Sequence, residues 1–387
     1  MPAASRDTPA ENSGPPLQSP ARRFGFSLAL LAMAALLCIL AAETLLRVHF
    51  GDVARITGAT EWEDARWKGL TYSWDVYHPR FGWTNQPDYR SDSRVPFQLS
   101  INSRGLRGER EYASHPPAGV RRIALFGDSL AFGEEVDDDE TVSFFLERDL
   151  ADSEVLNFGV HGYGLGQMML RLEDEGFAFH PDHVVVMLML PRDLERDLAQ
   201  HFVHNKPAFR AHVGALRIAN LPVPEASQQP WLLRRSFAAA FLFGRAAPWV
   251  AEREVGAQIE VLRLLLERIR ERAAAHGVPW TLVTVTNSLD VRRLRDAPDE
   301  RAVLDALQRA IAALDIDVLD LIDFLEQRWR AEGRALSTPN WHWSRRGNCL
   351  IAEQIVQHLQ SGSFKSPRHP ADSSRRRVQC STSPATG

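Results

Sequence analysis

Ser129 closes the tripeptide Gly127-Asp128-Ser129, directly after the apolar run Arg122–Phe126 and ahead of a glycine-containing loop. A serine hydroxyl becomes a useful nucleophile only when a neighbouring base takes its proton. At the end of a buried strand its own amide is also placed to donate to a developing oxyanion. A second element, Asn157-Phe-Gly-Val-His-Gly162-Tyr-Gly164, follows another strand candidate. Its glycines let backbone amides approach a ligand closely, although a plain tight turn accounts for them equally well. The third element is His342, in Pro339-Asn340-Trp341-His342-Trp343-Ser344-Arg345-Arg346-Gly347. It is one of 13 histidines, and only its place before the last helix singles it out.

Alternating elements must bring these loops together. Arg122–Phe126, Val155–Val160, Val184–Leu190, Trp280–Thr286 and Val318–Ile322 read as strands. Thr141–Leu150, Gly166–Gly176, Glu252–His276, Ala302–Leu314 and Cys349–Leu359 read as helices between and after them. Val184–Leu190 is continuously apolar, as a central parallel strand covered on both faces must be. The alternation predicts an α/β fold: a flavodoxin-like three-layer sandwich around a parallel sheet of about five strands. In such sheets functional groups gather beyond the carboxyl ends of the strands. All three elements fall there.

The chain has 387 residues, 45 basic and 49 acidic, with a net charge of −4. This balance gives no basic footprint for nucleic acid. Residues 24–42 carry no charge, and 19 apolar residues are close to a bilayer's span. Arg22 and Arg23 precede the run, placing that side in the cytoplasm and the remainder outside it. The run is long for a signal peptide and lacks a small-residue cleavage pattern, which favours an uncleaved anchor. The expected organisation is a disordered cytoplasmic tail (1–23), a transmembrane anchor (24–46), a membrane-proximal segment rich in tryptophan (47–118), a main domain (119–361) and a disordered tail (362–387). Residues 194–251 form an insertion in the main domain, a possible lid. Of three cysteines, Cys38 lies in the apolar run. Cys349 and Cys380 could pair, but assigning Cys380 to a disordered tail argues against it.

The succession GDS, NxGxxGxG, an apolar strand ending before Asp193, and a late HW…G ahead of the terminal helix resembles the SGNH/GDSL hydrolase superfamily. Asn102-Ser-Arg-Gly105-Leu-Arg107-Gly108 and Glu43 to Arg47 resemble features of its membrane-anchored bacterial members, as do Lys206-Pro207 and Gly214-Ala-Leu. The resemblance covers roughly residues 79–360. It implies Ser129 as nucleophile, His342 as general base, and the amides of Ser129 and Gly162 in the oxyanion hole. It also implies an asparagine donor in the third block and an aspartate before the histidine. Arg192 stands at the first of these positions and Asn340 at the second.

Two expectations follow. One is a serine esterase or acyltransferase working through a Ser–His dyad, with Arg192 as a substitute oxyanion donor. It would act on an acyl ester of an envelope glycan or lipid, at a bacterial inner membrane with its main domain in the periplasm. The other is an impaired SGNH-fold binding or scaffold protein. Glu353 and Asp320 are distant candidates for the missing carboxylate. Trp341 and Trp343 either wall the acyl site or anchor their loop. Trp62, Trp67, Trp74 and Trp83 are expected to pack a subdomain against the sheet. Asp137–Glu140 reads as charge at a helix N-terminus. No metal and no organic cofactor is expected, since a serine nucleophile needs neither.

Overall fold

A computed structural model describes residues 20–50, 74–93, 95–199, 202, 204, 206–223, 232, 236–243, 255–291, 297–362 and 380. The expected terminal tails therefore lie almost wholly outside the described residues, as do Trp62, Trp67 and much of the insertion. Helix α1 (Pro20–Phe50) contains the apolar stretch Phe24–His49, which is long enough to cross a membrane and has no part buried in the protein. A short antiparallel hairpin follows, β1 (Asp75–His78) with β2 (Gly82–Asn85).

The central unit then runs β3 (Arg121–Gly127), α2 (Ser129–Phe132), α3 (Val142–Asp149), β4 (Ser153–Asn157), α4 (Leu165–Asp174), β5 (His183–Met189) and α5 (Arg192–Asp197). After a hairpin of β6 (Ala208–His212) and β7 (Ala215–Ala219) come α6 (Phe237–Phe243) and α7 (Val255–Ala275). The chain closes with β8 (Trp280–Val285), α8 (Pro298–Ala312), β9 (Val318–Asp320), α9 (Ile322–Glu332) and α10 (Arg345–Ser361).

Five strands pair in the order β4-β3-β5-β8-β9, all parallel. This is the doubly wound, flavodoxin-like order, and the expected fold class is found. Alternate side chains explain why the strands read as continuous apolar runs. Ala124 and Phe126 of β3, with Val184 and Val186 of β5, face Met168 and Met169 of α4 and Leu262 and Leu265 of α7. Ile123, Leu125, Val185 and Met187 face the other way, onto Phe145 of α3 and Ile351 and Ile355 of α10. Both faces are covered.

Two features attach the rest of the chain. Glu43 of α1 accepts hydrogen bonds from the amides of Phe237 and Ala238, at 3.0 and 2.8 Å, and from Ser236 Oγ. It thus begins α6, and Arg47 lies over the Phe237 ring. The apolar helix α6 therefore sits against the C-terminal part of α1. Contrary to the expectation for Cys380, a disulfide joins it to Cys349 of α10. Cys349 is buried among the side chains between α10 and the sheet, and Cys380 packs against that same cluster.

Candidate active site

The turn after β3 is held by a buried charge network. Asp128 caps α2, its Oδ1 accepting from the Leu130 amide at 2.9 Å. Its Oδ2 accepts from Arg196 Nη1 at 2.9 Å. Arg196 donates as well to Asp193 Oδ1 and to the carbonyl of Tyr163. Asp193 in turn accepts from the Met189 amide. The loops following β3, β4 and β5 are thereby tied to one guanidinium, and buried charges of this kind are tolerable only when paired.

The second block is folded onto the first. Asn157 donates through Nδ2 to the carbonyl of Ala131 and to Ser143 Oγ, and its Oδ1 accepts from the Gly159 amide. At Gly159 a Cβ would stand 2.3 Å from the Phe132 nitrogen, so only glycine allows the approach. Gly162 has φ +73°, the left-handed region that favours glycine. Among the described residues neither the Ser129 amide nor the Gly162 amide is donated to a backbone carbonyl.

Ser129 Oγ lies 3.0 Å from His342 Nε2, and Glu135 Oε2 lies 2.8 Å from His342 Nδ1. Ser129 and His342 are only 7% and 6% exposed, so the line is shielded from water. Glu135 also accepts from Thr338 Oγ1 and from Asn340 Nδ2. Burial would raise the Glu135 carboxyl, but the hydrogen bonds from His342, Thr338 and Asn340 outweigh it and hold it low. Burial would likewise lower His342, yet the carboxylates Glu134 and Glu135 facing it raise its pKa above 6.5. With an ionised acceptor at Nδ1, the imidazole proton resides there and Nε2 is left to accept from the serine.

Several expectations need correction. The acid beside the imidazole is Glu135, so the arrangement is a line of three groups rather than a Ser–His dyad. Asn340 does not face the ring; it is a donor to Glu135. Neither distant candidate takes part. Asp320 accepts from Thr284 Oγ1 and the Ile322 amide, and Glu353 lies on α10 against Gln357. Arg192 is forked onto Asp290, with Nε and Nη2 at 2.8 and 2.7 Å from its two oxygens, so the guanidinium is held on that carboxylate. Trp343 is buried with Nε1 donating to the Thr286 carbonyl, and is an anchor of the loop rather than a wall of the site. Trp341 remains partly exposed at φ +76°, its carbonyl accepting from Ser288.

Sequence reasoning passed over Glu135 because it sought the acid near the histidine. The signal was the pair Glu134-Glu135, five and six residues beyond the serine. Positive φ at Gly133 (+81°) and at Glu135 (+69°) curls this loop. Consecutive carboxyls then face one imidazole, Glu134 at 3.7 Å from Nε2 and Glu135 at Nδ1. A second buried pair was also unforeseen: His161 Nε2 lies 2.6 Å from Asp75 Oδ2. Trp74 and Trp83 pack around it, and Trp83 Nε1 donates to the His161 carbonyl. The acidic run Asp137–Glu140 holds the preceding segment, with Asp137 accepting from the Gln98 amide and Asp138 pairing with Arg107.

The fold is of the doubly wound, flavodoxin-like type. No family model and no curated protein matches the chain. Solved structures do. A member of the lipolytic G-D-S-L family from Veillonella parvula is 15% identical, over 62% of this chain and 97% of its own, with a TM-score of 0.36. A lipase/acylhydrolase from Enterococcus faecalis is 17% identical over 62% and 96%, with a TM-score of 0.37. An acetyl xylan esterase is 13% identical over 62% and 99%, with a TM-score of 0.38.

The pairing of Arg192 with Asp290 gives a direct expectation. Arg192→Ala should change esterase turnover by less than about tenfold, whereas loss of a working oxyanion donor costs roughly 10²–10³. Steady-state kinetics on a p-nitrophenyl ester separates the two.

Proposed function

We propose that this chain is a serine esterase of the SGNH/GDSL type, with Ser129 as nucleophile, His342 as general base and Glu135 as the group that orients and charges the imidazole. The observation that carries the reading is the continuous line from Ser129 Oγ through both nitrogens of His342 to Glu135. In the first half-reaction Oγ attacks the ester carbonyl while its proton passes to Nε2. The amides of Ser129 and Gly162 receive the oxyanion. The imidazolium then returns that proton to the leaving alcohol. Glu135, already ionised, stabilises the charge that forms on His342.

The impaired-scaffold reading rested on two losses. Glu135 removes the more costly of them, since an orienting carboxylate is present. The substrate we propose is an acyl ester of an envelope glycan or lipid. Helix α1, long and apolar enough to cross a bilayer, supports this, as does the contact of its Glu43 with the apolar helix α6. A periplasmic location at a bacterial inner membrane is supported by Arg22 and Arg23 before the span and by the Cys349–Cys380 disulfide, since disulfides persist in oxidising compartments.

Labelling of the detergent-solubilised full chain with a fluorophosphonate probe tests the reading. The wild type is expected to label, and Ser129→Ala to abolish the label. A folded wild-type chain that does not label would sink the proposal.

A further inference from the structure

Glu134 is not used by the mechanism above, yet it is buried beside the reacting groups. It is 4% exposed, and its Oε2 lies 3.7 Å from His342 Nε2, the nitrogen that also faces Ser129 Oγ. Its amide donates to the Ser129 carbonyl at 3.1 Å, so the residue is fixed to the turn that carries the nucleophile. Its carboxyl faces the His342 imidazole. Burial, which the nearby imidazoles of His342 and His161 only partly offset, keeps that carboxyl above its ordinary range.

Deacylation sets a geometric requirement at this point. Once Oγ carries the acyl group, Nε2 must take a proton from the incoming nucleophile, whose oxygen then sits roughly 2.6–3.2 Å from it. An oxygen at that distance from Nε2 is able to contact a carboxyl atom only 3.7 Å from the same nitrogen. Water has two protons: one goes to Nε2, and the second is left to donate. An alcohol has one, and after giving it to Nε2 has nothing for a second acceptor. A carboxyl keeps an acceptor oxygen whether or not it is ionised.

We propose that Glu134 is a catalytic residue of the second half-reaction, one that binds the attacking water through its second proton and so directs the acyl-enzyme to hydrolysis rather than to transfer onto an alcohol. The inference rests on Ser129 forming an acyl-enzyme. The balance is simple. The water oxygen bonds to the acyl carbon, its first proton passes to His342 Nε2, the bond from the acyl carbon to Oγ breaks, and that proton moves from Nε2 to Oγ. The second proton stays on the carboxylic acid product, and Glu134 is unchanged at the end.

The test is partition of the acyl-enzyme between water and an added alcohol. The full chain in detergent is given p-nitrophenyl acetate with methanol, and methyl acetate and acetate are both quantified. Glu134→Leu fills the volume but removes the acceptor, and Glu134→Ala serves should leucine not be accommodated. In either, the ratio of methyl acetate to acetate is expected to rise about tenfold, the scale of one lost hydrogen bond to a charged group. Glu134→Gln keeps an acceptor oxygen and is expected to stay near the wild-type ratio. The ratio is formed on competent sites alone, so partial misfolding does not alter it. A ratio unchanged within twofold in the leucine or alanine variant overturns the role of Glu134 while leaving the esterase reading intact. Absence of both Ser129-dependent turnover and probe labelling in the wild type overturns both.

Discussion

Turnover is expected to fall about 10⁴-fold in Glu135→Gln, with the fold retained. The magnitude is that of the acid-to-amide change in the trypsin-type triad, where the amide favours the wrong imidazole tautomer. The environment of Glu135 makes a milder outcome hard to reach. Its two oxygens receive donors from His342, Thr338 and Asn340. A glutamine side chain must turn its amide nitrogen toward at least one of these donors. The pH profile supplies a second readout. His342 acts only when neutral, and its pKa is raised above 6.5 in part by Glu135. The acid limb of kcat/KM should therefore have its midpoint above that value and rise with pH through it. In Glu135→Gln a cause of the raised value is gone, and the midpoint should move to lower pH. The complementary variant runs against the resemblance. Asn340→Asp restores the family's aspartate, yet here it replaces a donor to Glu135 with a second negative charge beside it. Its activity is expected to drop. A rise in activity, or a Glu135→Gln enzyme within tenfold of the wild type, would count against Glu135 as the orienting group.

The limits of the sequence reading have specific causes. The sheet was legible because Arg122–Phe126, Val184–Leu190 and Trp280–Thr286 are covered on both faces and carry no charged residue besides Arg122. Their parallel pairing followed from alternation with helices. Ser129 and His342 were legible because each stands at a strand end or before a helix, where the fold exposes side chains. Glu135 was not, because two separate turns bring it to the histidine: the left-handed loop after α2, and the loop that carries Asn340 and Trp341. Neither turn has a distinctive spacing. The hairpin residues Asp75 and Trp83 belong to the segment expected to pack on the main domain, but their particular contact with His161, across 86 and 78 positions of sequence, was not foreseen. Contacts of that range leave no periodic trace. The Cys349–Cys380 bond escaped for a similar reason, since composition around Cys380 says nothing of where that cysteine sits.

Trp343→Ala is expected to be the most destabilising single change near the site, by about 3–5 kcal/mol. Trp343 is 1% exposed, packs edge-on against Trp329 at 6.3 Å, and donates from Nε1 to the Thr286 carbonyl at 2.9 Å. Alanine leaves both the volume empty and that buried carbonyl short of a donor. For a domain of this size the loss corresponds to a fall in Tm of about 10 °C or more. Trp341 separates packing from substrate contact. It is partly exposed, lies outside the buried cluster that includes Trp343, and its carbonyl accepts from Ser288 Oγ. Trp341→Ala should therefore shift Tm by no more than a few degrees. Thermal melts of the two variants decide the matter. A Trp343→Ala chain that melts like the wild type but has a raised KM would return that tryptophan to the substrate wall. The predicted result makes the loop around His342 a structural extension of the sheet, anchored from below by one indole so that the imidazole above it can stay in register with Ser129.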